Sequence, residues 1–283
     1  MSLTDLRGLV AKAGVNDTWY QDPHLPRRPV LLRAARPERY SPTTPLLFAH
    51  HGDLRNGGDY RDYWLPLVDE ANLLVVVPEF PSPIYPGAAW YNLGNRVDET
   101  DRTRPREEWT YGVPGRVFAS LRSQGVTARR CYGLFGHSSG GQFVHRMISL
   151  GFRDGVAAAA TANAGTYAMP DRDITFPHGL GETEIDEAAL RALLAFRLMV
   201  FAGTADIDTT SEHFPRDDAA MRQGPTRYAR AHSYIAAARD AARQRGMSCA
   251  WTIIDVADVG HDGAKMSAAA AAILAAALHA SEP

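Results

Sequence analysis

A serine stands between glycines in Gly136-His137-Ser138-Ser139-Gly140, and a further glycine, Gly141, follows. The spacing Gly-x-Ser-x-Gly suits a sharp strand-to-helix turn that lifts a serine clear of a sheet. The backbone is strained at the serine, and small neighbours let strand and helix approach. Standing alone, the pattern is weak in a chain with 24 glycines. Its setting strengthens it: the apolar run Tyr132-Gly133-Leu134-Phe135 precedes it, and Phe143, Val144, Met147 and Ile148 follow at helical spacing. Ser138 is therefore the candidate nucleophile.

A serine hydroxyl is a poor nucleophile at neutral pH and needs a base, normally His, oriented by a carboxylate. Around such a turn the chain order runs serine, acid, His. His261, in Val259-Gly260-His261-Asp262, follows the last expected strand and precedes the last expected helix, the place for the base. The acid is expected in Gly203-Thr204-Ala205-Asp206-Ile207-Asp208. A tight turn at Gly203 favours Asp206, with Asp208 as the alternative. Attack on a carbonyl also creates an oxyanion that needs donors. The backbone N–H of Ser139, at a helix start, is the first candidate. That of Asp53, after His50-His51-Gly52, is the second. His50, His51 and Asp53 could be read as metal ligands, but the cluster lacks a further group at ligand spacing, so no metal is expected. No organic cofactor is expected either, since this chemistry needs only the three side chains and the donors.

The elements that must hold these residues read as an alternation of short apolar strands and helices, the signature of a mainly parallel sheet covered on both faces. Strands are expected at 30–34, 46–50, 73–78, 131–136, 156–162, 198–202 and 251–256, and helices at 61–71, 106–123, 142–150, 227–245 and 264–280. The last of these helices is dense in alanine, the best helix former. No repeat or linker divides the chain, so one α/β domain over 1–283 is expected. Two long connections, 80–109 and 165–195, follow strands and are expected over the carboxyl edge of the sheet, walling a cleft.

Composition narrows the class. Apolar residues make up 45% and charged residues 22%, the balance of a globular protein. A formal charge of −2, with arginines scattered among acids, gives no basic block for nucleic acid. No apolar run is long enough to span a membrane, and the first residues lack the pattern of an export signal, so a cytoplasmic protein is expected. Cys131 and Cys249 make no disulfide framework and are expected as reduced core residues.

Taken together, these segments resemble the α/β-hydrolase superfamily. Within it, His51-Gly52-Asp53 with Arg55-Asn56 and Tyr60-Arg61, Gly136-His137-Ser138-Ser139-Gly140-Gly141-Gln142-Phe143, and Asn163-Ala164-Gly165 resemble poly(3-hydroxybutyrate) depolymerase-like and feruloyl esterase-like proteins. The resemblance implies an α/β-hydrolase fold and a serine esterase with Ser138 as nucleophile, His261 as base and Asp206 as acid. Secreted polymer depolymerases of this kind tend to carry an export signal, extra cysteines and a binding module. None is seen here, so a soluble ester or short oligomer is the expected substrate. Aromatics in the long connections suggest a binding wall, with Trp90, Tyr91 and Tyr167 as candidates. A peptidase or acyltransferase on the same residues is the runner-up, followed by a non-catalytic or lyase use of the fold.

Overall fold

The computed structural model describes residues 4–281. Eight strands form one sheet in the order β1-β2-β4-β3-β5-β6-β7-β8. They are β1 Gly14–Tyr20, β2 Val30–Arg36, β3 Leu46–His50, β4 Leu74–Glu79, β5 Tyr132–His137, β6 Val156–Ala162, β7 Leu198–Gly203 and β8 Thr252–Val256. β1 and β2 pair antiparallel, as do β2 and β4, and every later pairing is parallel. The central strands β3, β5 and β7 are buried at every position, which is why they read as unbroken apolar runs.

Seven of the strands lie where the sequence places them. β1 is the addition: Asn16-Asp17-Thr18 interrupts its apolar pattern, because at the sheet edge it has only one neighbour, β2. The helices are α1 Gly57–Trp64, α2 Val68–Ala71, α3 Val113–Ser123, α4 Ser139–Ser149, α5 Glu187–Leu194, α6 Asp218–Gln223, α7 Arg227–Gln244 and α8 Gly263–His279. The helix expected over 61–71 is split into α1 and α2 around Pro66, which has no N–H to continue the ladder. That expected over 106–123 opens as two short 3-10 turns and becomes α-helical only at Val113, with Pro114 in its first turn.

Each face of the sheet has its own core. Side chains of α3, α4, α5 and α7 cover one face, around Val117, Phe143, Leu190 and Tyr234. Those of α1, α2 and α8 cover the other, around Trp64, Val68 and Leu274. Cys131 and Cys249 are half-buried, not fully buried core residues, with Cys249 packed against the first of these cores, and no disulfide joins them. No helix among the described residues is long and apolar enough to cross a membrane.

Strand order decides what meets at the carboxyl edge. β3 pairs directly with β5, His50 opposite Gly136, so the turns after these strands are neighbours. β6 links β5 to β7, and β8 pairs with β7. The turns after β3, β5, β7 and β8 therefore face one cleft, where sites in open α/β sheets lie.

Candidate active site

Ser138 joins β5 to α4 with φ of 58° and ψ of −122°, a left-handed conformation that a serine adopts only when its surroundings impose it. The flanking glycines show what imposes it. A Cβ on Gly136 would stand 2.1 Å from the Gly140 carbonyl oxygen, and one on Gly140 would stand 2.2 Å from that of His50. The start of α4 thus lies directly on the ends of β5 and β3, and side chains at either glycine would push it off.

His261 lies in the turn after β8. Its Nε2 is 2.9 Å from Ser138 Oγ and its Nδ1 is 2.8 Å from Asp206 Oδ2. Asp206 follows β7, where its N–H donates to the Gly203 carbonyl at 3.0 Å, closing the turn expected from Gly203. An ionised carboxylate only accepts, so Nδ1 carries the imidazole proton and Nε2 is left to accept from the serine hydroxyl. Asp206 is fully buried, while the His261 side chain keeps 31% of its exposure. Arg227, itself buried, brings Nη1 to 3.6 Å from Asp206 Oδ1, an ion pair beyond hydrogen-bond reach. Burial lowers the Arg227 pKa, and Asp206 and Asp208 oppose that shift. Asp208, the alternative acid, faces solvent and accepts from the Thr210 N–H and hydroxyl, both at 2.7 Å.

The two oxyanion candidates flank the serine. Ser139 is the first residue of α4, so its N–H has no acceptor within the helix. Asp53 lines the same cleft, and its Oδ1 lies 3.5 Å from Ser139 Oγ. The turn that carries Asp53 is held through His51. The Phe80 N–H donates to His51 Nε2 at 3.1 Å, which leaves Nδ1 as the donor to the Gly52 carbonyl at 2.9 Å. Burial lowers the His51 pKa to about 3, in keeping with this neutral tautomer. His137, within the motif, is also buried, and its Nδ1 pairs with the Tyr60 hydroxyl at 2.8 Å. Burial and then the neighbouring His261, whose ring centre is 4.7 Å away, push the His137 pKa well below its usual value.

The aromatic candidates do not line this cleft. Tyr91 is buried, stacks on His51 at 4.5 Å and donates its hydroxyl to the His51 carbonyl at 2.6 Å. It braces the Asp53 turn from behind. Tyr167 is buried against Tyr234 at 4.5 Å, and its backbone exchanges hydrogen bonds with the Gln223 side chain. Trp90 sits under the Arg28 guanidinium at 3.6 Å and borders a separate depression with His24 and Pro26. All three tie loops to the body of the protein, and the cleft at Ser138 is lined by other side chains. The cleft, about 280 Å³, is lined mainly by polar groups: Asn92, Gln142, Arg146, Thr166 and His178 among them. No motif marks Gln142 and Arg146, both on α4, as cleft residues, although they follow Ser138 at intervals of four.

A search for related structures adds the family. The chain is 40% identical, over 93% of its length and 91% of the other's, to LpqC, a poly(3-hydroxybutyrate) depolymerase from Bordetella parapertussis, with a TM-score of 0.89. The chain is an α/β-hydrolase. It is also 34% identical to poly(aspartic acid) hydrolase-1 from Sphingomonas sp. KT-1, over 93% of this α/β-hydrolase and 99% of that one, with a TM-score of 0.89. An S-formylglutathione hydrolase from Agrobacterium tumefaciens, 16% identical with a TM-score of 0.55 over 98% and 99% of the two chains, shares the fold. No family model and no curated protein matches the sequence. Among the described residues, no group of three or more His, Cys, Asp or Glu is placed to hold a metal ion.

Proposed function

We propose that this hydrolase cleaves carboxylic esters of small molecules or short oligomers through an acyl-enzyme on Ser138. The observation that carries the reading is the hydrogen-bonded chain from Ser138 Oγ through His261 to buried Asp206, mounted on a strained turn. In this mechanism His261 Nε2 takes the Ser138 proton as Oγ bonds to the acyl carbon. Asp206 holds the imidazole in the required tautomer and stabilises the imidazolium that forms. The N–H groups of Ser139 and Asp53 receive the oxyanion, and each donor of this kind is worth about 3 kcal/mol. As the tetrahedral species collapses, His261 gives its proton to the departing alcohol. Water then enters and loses a proton to His261 as its oxygen bonds to the acyl carbon, and collapse of that species breaks the Oγ–acyl bond, releasing the acid as His261 returns the proton to Ser138 Oγ.

A second reading, hydrolysis of amides by the same residues, is favoured by the 34% identity to a poly(aspartic acid) hydrolase. The ester reading is supported by the higher identity to a depolymerase of a polyester. The two are separated by measuring kcat/KM on 4-nitrophenyl esters and on 4-nitroanilides of the same acyl groups. Esters are expected to be turned over well above anilides, and Ser138→Ala and His261→Ala are expected to lose about 10⁴-fold or more in kcat on esters. Faster anilide turnover in the wild type would move the reading to an amidase, and full activity in Ser138→Ala would end both.

A further inference from the structure

Gln142 and Arg146 lie four residues apart on one face of α4, and both line the cleft together with Ser138, the residue just before the helix. Arg146 is one to two turns further along, about 10 Å of helix rise from the start of α4, and helical side chains lean back toward that start, into the space the serine faces. Arg146 is only 2% exposed. Its Nη1 donates to the Asn92 carbonyl and its Nη2 to the Thr166 hydroxyl, both at 3.1 Å, and its Nε has no partner. These acceptors are neutral. Burial drags the Arg146 pKa down to about 10, and the groups opposing that shift are the tyrosines 111 and 234, with no carboxylate among them.

The other arginine in the cleft wall is matched, Arg227 facing Asp206 at 3.6 Å. His178 stands 3.5 Å from Asp217 and His213 3.6 Å from Asp53, contacts that are ionic only with the imidazole protonated, and burial lowers the His178 pKa. Among the described residues, Arg146 is left as a buried cation at the cleft without an anion. A buried charge without a counter-charge is unfavourable, and a planar guanidinium with donors to spare binds a carboxylate well. We propose that Arg146 is the anion anchor of the cleft, and that preferred substrates carry a carboxylate about two helical turns from the bond broken at Ser138. This rests on the proposed reaction at Ser138. Gln142, between the two, lies along the intervening stretch of the substrate.

Two ester series test the proposal and locate the carboxylate. In one, 4-nitrophenyl half-esters of dicarboxylic acids from glutarate to suberate are compared with 4-nitrophenyl esters of monocarboxylic acids of equal length. In the other, butyrate esters of ω-hydroxy acids are compared with butyrates of the matching alcohols. The readout is the ratio of kcat/KM, anionic over neutral. In the wild type the ratio is expected to peak at one chain length in one series, which shows whether the acyl or the alcohol part bears the anion. It is expected to fall at least ten-fold in Arg146→Leu and to be partly kept in Arg146→Lys. A wild-type ratio near one in both series, or a ratio that Arg146→Leu leaves unchanged while both rates fall, would overturn the proposal and leave Arg146 a loop tie.

Binding to Ser138→Ala separates this site from the reaction, and does so even if Arg146→Leu does not fold. Calorimetry is expected to show at least ten-fold tighter binding of the anion in one of two pairs, monomethyl over dimethyl suberate or 8-butyryloxyoctanoate over octyl butyrate, and equal affinities within both pairs would contradict the anchor. If the anion binds preferentially while the wild type hydrolyses no ester, the anchor stands and the ester reading falls.

Discussion

The elbow that carries Ser138 and the two long connections that wall the cleft sit a few residues apart in space yet are built on opposite principles. At the elbow, backbone meets backbone: Gly140 leaves no room for a Cβ against the His50 carbonyl, and Gly136 leaves none against Gly140. Sequence is dictated there almost residue by residue. In the walls, side chains meet the body of the protein. Tyr91 grips the His51 carbonyl, Tyr167 packs on Tyr234, and the Tyr111 hydroxyl donates to the Asn92 carbonyl at 2.8 Å. The large aromatics point inward to hold loops that lack a ladder of their own, and polar side chains are left to face the cleft. The elbow is thus fixed by backbone contacts, and the cleft wall by what the braces leave exposed.

The comparison is tested most severely by acid, because the elbow region is underlain by buried neutral histidines. His50, His51, His137 and His145 are fully buried, and burial sets each pKa below its usual value, to about 3 for His51. Between that folded value and the unfolded value near 6.5, the unfolded chain binds more protons, so stability is present above about pH 6.5 and is lost as pH falls. Four such groups set a limit on the order of 5 kcal/mol per pH unit between pH 6 and 5. Urea unfolding followed by tryptophan fluorescence is expected to show a steep loss of stability over that interval. A flat profile would mean that these rings are not held neutral.

Next in size is the acid of the elbow machinery. Asp206→Asn is expected to cut kcat by about 10³- to 10⁴-fold by favouring the wrong His261 tautomer. Asp208→Asn, altering a solvent-facing cap on Thr210, is expected to stay within about two-fold, as surface changes usually do. Equal losses from the two would break the assignment of the turn after β7.

In the wall, Tyr167→Ala is expected to destabilise by about 3 kcal/mol, the cost of emptying a buried aromatic site. Urea midpoints measure that loss. The preference for acyl length, measured on the 4-nitrophenyl esters, is expected to keep its wild-type optimum. A shifted optimum with stability intact would restore Tyr167 to the substrate wall.

These contrasts explain what could be read in the sequence. That Ser138, His261 and Asp206 come together is legible, because a strained turn, a chain order and a tight Gly203 turn are local demands that residue types express directly. Seven strands were legible because burial on both faces leaves unbroken apolar runs. β1 is not legible, since an edge strand tolerates Asn16-Asp17-Thr18, and the break at Pro66 is masked by the amphipathic pattern that runs through it. The burial of Tyr91 and Tyr167 and the placement of Trp90 under Arg28 are not legible, because an aromatic in a long loop looks alike whether it faces a ligand or a core. The four-residue spacing of Ser138, Gln142 and Arg146 was present all along. Its meaning required knowing which face of α4 turns to the cleft.

The central claim is that Ser138 is activated by His261. Treating wild type, Ser138→Ala and His261→Ala with a fluorophosphonate and mapping the adduct by peptide mass spectrometry tests it directly. One adduct per wild-type chain, on the peptide bearing Ser138 and absent from both variants, is the expected result. An unlabelled wild type, or an adduct on another residue, would contradict it.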